Sequence, residues 1–377
     1  MKRLFVLSIV LASIVSVSNI ARAEPTTSFQ TQEKLPLGLS TVLSGPWAGW
    51  GQSMANGFTL GNEMLKDKYA IDIQDDHADT VSAKTIMQSF SDIRHMKFSM
   101  AGAIEILSAI GPVAAQNGVT VLCLGSMTKA IAEKNPTLVS FFSLADTEAH
   151  YLAPYIASRP DLKTISILHG SNDFGEAMGE SLDKLLSARG VKVLRRDSVA
   201  IETMDFRSIA YRLVRNKPDA LFVHLSEASL VSFIRQARQL GYKGEIYTVF
   251  VFENEAVRKA GGEILEGVRY TYPVESLKNS AQYVAFYKRY KERFGIEPTS
   301  TAAVAYDAVH FLDEAITKCE NSDSACVLRE VSKPQTWEGI AGKIILKGDR
   351  TALRPHGLKE FRQGEFRWVK RELEAAE

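Results

Sequence analysis

The chain has 377 residues, with 45 Lys and Arg against 44 Asp and Glu, 45% hydrophobic residues and only 3 Cys. That length exceeds one ordinary core and implies two to three domains of about 100–200 residues each. The balanced charge leaves no electrostatic footprint for nucleic acid or an anionic membrane surface. The apolar content excludes disorder, and the Cys count excludes a disulfide scaffold.

Lys2 and Arg3 precede an apolar run from Leu4 to Val17, and Asn19–Ala23 then reads N-I-A-R-A before Glu24. This is the pattern of a cleaved signal peptide over residues 1–23. A membrane anchor would need about 20 apolar residues, and no Cys stands at the cleavage site to carry a lipid. Losing Lys2, Arg3 and Arg22 turns the formal charge from +1 to −2. With no later apolar stretch long enough to span a bilayer, a soluble protein exported to the periplasm is expected.

From Leu35 a short β-branched or apolar run, a polar loop and an amphipathic stretch recur. Strands are expected at Leu35–Thr41, Ala70–Gln74, Phe98–Ala101 and Val119–Leu124, with helices at Gln52–Lys66, Thr80–His95 and Glu105–Gln116. A second series has strands at Thr164–Leu168, Lys192–Arg195, Ala220–Leu225 and Glu245–Val249. Its helices are Glu176–Ala188, Asp205–Arg215 and Ser229–Leu240. Gly stands between helix and next strand in A-A-Q-N-G-V, S-A-R-G-V and R-Q-L-G-Y-K, as a helix C-cap requires. Such alternation implies right-handed βαβ crossovers and parallel sheets covered on both faces. Two series imply two doubly wound α/β lobes, whose ligands bind at the carboxyl ends of the strands. After Gly267 the order changes. A crossover strand is expected at Gly267–Tyr272, helices at Ala281–Phe294 and Ser300–Lys318, and strands at Lys343–Leu346 and Phe361–Val369.

In an exported chain, Cys319 and Cys326 in K-C-E-N-S-D-S-A-C can form a disulfide worth about 2–3 kcal/mol; two free thiols are the alternative. Cys123, in V-T-V-L-C-L, reads as a buried strand residue. No G-x-S-x-G elbow, H-E-x-x-H pair, phosphate loop or G-x-G-x-x-G turn is present, and the seven His lack metal-ligand spacing. Asp75-Asp76-His77 suggests a metal site less readily than a strand end followed by a helix cap at Asp79-Thr80. Neither an enzyme, a cofactor nor a bound metal is expected.

Several stretches carry a resemblance. Leu43–Gln52, L-S-G-P-W-A-G-W-G-Q, resembles the L-[ST]-G-P-x-A-x-x-G signature of type I periplasmic binding proteins, the leucine/isoleucine/valine-binding family of ABC-transporter receptors. Asn56-Gly57, Asp75-Asp76 with Asp79, Asp173-Phe174-Gly175, Asp205-Phe206, the helix end Ile234–Gly241 and Ala305-Tyr306-Asp307-Ala308 are similar to that family's further motifs, in order. The resemblance runs from Leu35 to about Val369. It implies two lobes joined by three crossovers that close on a ligand. Lobe 1 would span 35–143, completed by about 274–350; lobe 2 would span 144–273, completed by about 351–369, with a polar tail at 370–377.

By the same resemblance, Trp50 presents an aromatic face to the ligand, with Trp47 a weaker candidate; packing under the loop is the alternative for Trp50. Phe174 replaces a Tyr. Ser126 and Thr128 offer hydroxyls to a ligand carboxylate or cap the next helix. Ala103-Ile104-Glu105 stands where a hydroxyl is usual. Phe250 stands where a Glu neutralises an α-ammonium, with Glu253 three residues on, and Ser226 and Glu227 occupy another cleft-facing loop. A buried ammonium needs a carboxylate, for which Glu105, Glu227 and Glu253 are candidates or else ordinary surface acids. The implied function is a monomeric periplasmic receptor that delivers a small polar or aromatic organic ligand, such as an amino acid, to an ABC permease. A soluble sensing module for a membrane receptor is the rival reading.

Overall fold

Apolar runs separated by helical periods fold here into two sheets with parallel cores. The structure is a computed structural model that describes residues 34–274, 280–320 and 323–375. The expected signal peptide at 1–23 lies outside the described residues. The first series forms β1 (Leu35–Thr41), α1 (Ala48–Met64), β2 (Tyr69–Asp75), α2 (Thr80–Gln88), β3 (Phe98–Ala101), α3 (Ile104–Gln116), β4 (Thr120–Cys123), α4 (Lys129–Lys134) and β5 (Leu138–Ser140). The second forms α5 (Thr147–Ala157), β6 (Thr164–Gly170), α6 (Asp173–Ser187), β7 (Lys192–Val199), α7 (Arg207–Val214), β8 (Ala220–His224), α8 (Glu227–Gln239), β9 (Glu245–Thr248), α9 (Glu255–Gly261) and β10 (Val268–Pro273). The remainder forms α10 (Ala281–Phe294), α11 (Ser300–Lys318), α12 (Ser324–Ser332), β11 (Gln335–Gly339), β12 (Gly342–Leu346), β13 (Ala352–Leu353), β14 (His356–Arg362) and β15 (Glu365–Lys370).

One sheet has the order β2-β1-β3-β4-β5 and is parallel throughout. A second runs β15-β14-β10-β9-β8-β6-β7, in which β6 to β10 are parallel and β14 and β15 antiparallel. Counted within each series, both parallel sets follow the doubly wound order 2-1-3-4-5, with the strand order reversing beside β1 and beside β6. β3, β4, β5 and β8 are buried at every residue, as parallel strands covered on both faces must be. Gly118, Gly190 and Gly241, after α3, α6 and α8, take the positive φ of a helix C-cap.

The chain passes between the two sheets after β5, after β10 and after β13. α10, α11, α12 and the small antiparallel sheet β11-β12-β13 share a hydrophobic core with the β1 sheet, while α5 packs with α6 and β6. α1 crosses α11 so closely that a Cβ on Gly57 would lie 2.0 Å from the Ala302 carbonyl oxygen. That contact anchors the helix whose N-terminus carries the two tryptophans.

The expected single strand over Phe361–Val369 is instead the β14–β15 hairpin. Gln363 and Gly364 have φ of 54° and 79°, the paired positive values of a tight two-residue turn. α5 carries Pro154 and is buried around most of its circumference, so it shows no amphipathic stripe to read. Asp79 caps α2 by accepting from the Ser82 N–H at 2.8 Å, while Asp76 accepts from the Ser40 hydroxyl and the Ala78 N–H. Cys319 and Cys326 are bonded, with Cα atoms 5.8 Å apart, joining the end of α11 to α12; Cys123 is free and buried.

Polar groups are buried where the chain passes between the sheets. Arg354 donates from Nε to the Phe141 carbonyl and from Nη1 to the Ala341 carbonyl, and lies over the Phe141 ring. Asp307 accepts from the N–H groups of Ile340 and Ala341. Burial pushes Asp307 up to about 7, opposed by the charge of Arg354. Glu148, on α5, accepts from the Thr271 hydroxyl on β10, and burial pushes it up to about 8. Among the described residues no helix is long and apolar enough to cross a membrane.

Candidate functional site

Each sheet offers the loops at its carboxyl strand ends to one cavity of about 130 Å³. From the first sheet come Val42 after β1, Ala78 after β2, Ala103 to Glu105 after β3, and Gly125 and Ser126 after β4. The second sheet contributes Asn172 and Phe174 after β6, His224 at the end of β8, and Val249 to Val251 after β9. These are the positions at which a doubly wound sheet binds ligand.

Trp47 and Trp50 enter the wall from the first turn of α1. Trp50 lies on a floor of two glycines: a Cβ on Gly102 would come within 2.4 Å of its Cη2, and one on Gly125 within 3.5 Å of its Cζ2. Its indole is bedded on the β3 and β4 loops and also lines the cavity. Ala103 turns the chain into α3 with φ 64° and ψ 131°, a conformation that L residues rarely adopt and that tends to mark ligand loops. On the opposite wall Phe174, at the start of α6, packs against His224 with ring centroids 4.6 Å apart. Phe250 lines the cavity and packs on Phe142 at 5.3 Å.

The expected acids divide. Glu105 lines the cavity and accepts from the Asp173 N–H at 3.2 Å, linking the N-terminus of α3 to that of α6. Burial raises its carboxyl, opposed by hydrogen bonds from its own N–H, the Asp173 N–H and Asn172. Glu227, in the first turn of α8, is half-buried beside α1, where a Cβ on Gly49 would lie 3.5 Å from its Oε2. Burial pushes it up to about 7. Glu253 is not brought to the cavity. It accepts from Lys359 Nζ and from the Tyr270 hydroxyl, both at 2.5 Å, because β14 lies antiparallel to β10 and carries Lys359 there.

The hydroxyl candidates divide as well. Ser126 lines the cavity. Thr128 caps α4, accepting from the Ile131 N–H at 3.3 Å. Ser226 is buried at the start of α8 and donates to Ser229 Oγ at 2.9 Å. Asn172, not expected from the sequence, caps α6 by accepting from the Gly175 N–H and also reaches Glu105. His224 was also missed. It ends the apolar run A-L-F-V-H, and its place at a strand's carboxyl end was the only signal for it. It is 4% exposed, and burial drives its imidazole down to about 3.

The wall is therefore mainly aromatic and aliphatic, its polar groups among the described residues being Ser126, Asn172, His224 and the Glu105 carboxyl, with no Lys or Arg. An apolar cavity of about 150 Å³ admits one benzene, so this one suits a single six-membered ring.

The sequence model of the periplasmic binding protein family matches residues 34–360. Leu/Ile/Val-binding protein homolog 2 of Brucella abortus (strain 2308) is 21% identical over 345 residues, covering 87% of this chain and 91% of that one. Among solved structures, a leucine binding protein from Thermotoga maritima superposes with a TM-score of 0.82 at 19% identity, over 89% of this chain and 97% of that chain. An ABC transporter solute binding protein from R. palustris, in complex with benzoate, superposes with a TM-score of 0.81 at 17% identity, over 91% and 98% of the two chains. The matched span takes in the parallel strands of both sheets and every loop of the cavity, and the chain belongs to the periplasmic binding protein family, a class of solute-binding proteins rather than enzymes.

Proposed function

We propose that this chain is the receptor of an ABC transporter that captures a small aromatic carboxylic acid and delivers it to an inner-membrane permease. The observation that carries the reading is the cavity: one ring in size and walled by Trp47, Trp50, Phe174 and Phe250. Export through residues 1–23 places the receptor in the periplasm, where it acts as a monomer. The two sheets are the cores of two lobes that close on the ligand about the three chain passages. An α-amino acid would have to pair its ammonium with Glu105, which lines the cavity and already accepts from the Asp173 N–H. Glu253 is committed to Lys359. The benzoate bound by the R. palustris protein is consistent with this chemistry.

The test is a melting-shift screen of benzoate, ring-substituted benzoates, leucine, isoleucine and valine. At 100 times its Kd a true ligand stabilises by about 2.7 kcal/mol, a shift of a few degrees for a chain of this size. Benzoate or a substituted benzoate is expected to shift the transition and the branched-chain amino acids are not. A leucine shift with none from any benzoate would refute the aromatic-acid reading.

A further inference from the structure

Glu105 serves two sides of the molecule. It stands in the first turn of α3, on the first-sheet side, where it lines the cavity. Its carboxylate accepts from the Asp173 N–H at 3.2 Å, and Asp173 opens α6 on the second-sheet side. That N–H is one of the first-turn donors that a helix leaves without an internal partner. A carboxylate placed there gains both the hydrogen bond and the favourable end of the helix dipole. Ala103 sets the approach, its φ of 64° and ψ of 131° turning the chain from β3 into α3 just before Ile104 and Glu105. α6 already has a cap of its own, since Asn172 accepts from the Gly175 N–H at 3.1 Å. Glu105 is thus an additional partner, supplied from the other sheet.

We propose that Glu105 is a cross-cleft latch, its carboxylate capping α6 from the opposite lobe and biasing the cleft toward its closed form independently of ligand. The inference rests on the lobe closure of the proposed function and not on the identity of the ligand. Both partners belong to the protein, so the bond is made on every closing and broken on every opening. A hydrogen bond to a charged group shifts such a closed-to-open ratio by about tenfold. A ligand enters and leaves through the open form, so the latch slows its release and keeps part of the free protein unreceptive.

Small-angle scattering of protein stripped of ligand by unfolding and refolding tests it. Glu105→Ala removes the acceptor. Asp173→Pro removes the donor and little else. The first helical position tolerates proline, and Asn172, at φ −122° and ψ 164°, already has the extended backbone that a residue before proline needs. Asp173→Ala is the control, because it keeps the N–H and deletes the carboxylate that repels Glu105. The radius of gyration is expected to rise equally in Glu105→Ala and Asp173→Pro, to rise no further in the double variant, and not to rise in Asp173→Ala. Should Asp173→Pro fail to fold, Glu105→Gln, which keeps an uncharged acceptor, should lie between the wild type and Glu105→Ala; a radius equal to that of Glu105→Ala overturns the latch. Wild-type radii in both single variants, or increases that add in the double, overturn it as well. If saturating benzoate still compacts the wild type, the latch alone falls; benzoate that binds without compacting it takes lobe closure down too.

Discussion

Adding one methyl group beneath Trp50, as Gly102→Ala, probes how the cavity wall is held. The new Cβ would stand 2.4 Å from Trp50 Cη2 and 2.7 Å from Met54 Cε, where carbon contacts prefer about 3.5–4.0 Å. Met54 is fully buried, so the indole must retreat by roughly 1 Å, into the space a ligand would use. Gly102 is not one of the positive-φ glycines, so the penalty is steric alone. Overpacking of this kind costs about 1–3 kcal/mol, a fall of several degrees in melting temperature. Affinity for the best ligand of the melting-shift screen should fall at least fivefold in calorimetry. Trp50→Phe removes the clashing atoms, so Gly102→Ala with Trp50→Phe should be more stable than the two single effects added, with a coupling of about 1–2 kcal/mol. An additive double variant, or a Gly102→Ala protein that melts and binds as the wild type does, would show that the indole is not seated on Gly102.

Glu148→Gln keeps an acceptor for the Thr271 hydroxyl but cannot ionise. The buried Glu148 carboxyl is raised from 4.5 to about 8, so its contribution is full below about pH 4.5 and is lost as pH rises through 8. Wild-type stability measured in urea should therefore drop relative to Glu148→Gln by about 3–4 kcal/mol between pH 5 and pH 8; parallel profiles would contradict this. Thiol alkylation without reductant should label nothing in the native protein and only Cys123 after unfolding, since Cys319 and Cys326 are bonded; labelling of either would show them reduced. Lobe closure predicts that a saturating ligand lowers the radius of gyration in small-angle scattering, and an unchanged value would exclude it.

Much of the candidate cavity lining was legible because it sits where local sequence ends a strand or starts a helix. Trp47, Trp50, Ile104, Ser126, Phe174 and Phe250 all follow apolar runs whose identity as strands needs only a few neighbouring residues to read, and all line the cavity. The disulfide, closed over six intervening residues, is local in the same sense. Glu253 reads as well as Glu105 does along the chain, but Lys359, 106 residues away, claims it once β14 joins β10. Thr128 and Ser226 carry suitable hydroxyls, and only the direction of their helices turns them to capping and to Ser229. His224 is hidden in an apolar strand, and its place in the cavity lining is visible only after Phe174 and the first-sheet loops stand opposite. Hydrophobic period and turn chemistry act over a few residues and so determine which elements form. Which side chains share a cavity depends on the 2-1-3-4-5 strand order and on three long-range chain passages, contacts made between residues far apart in sequence.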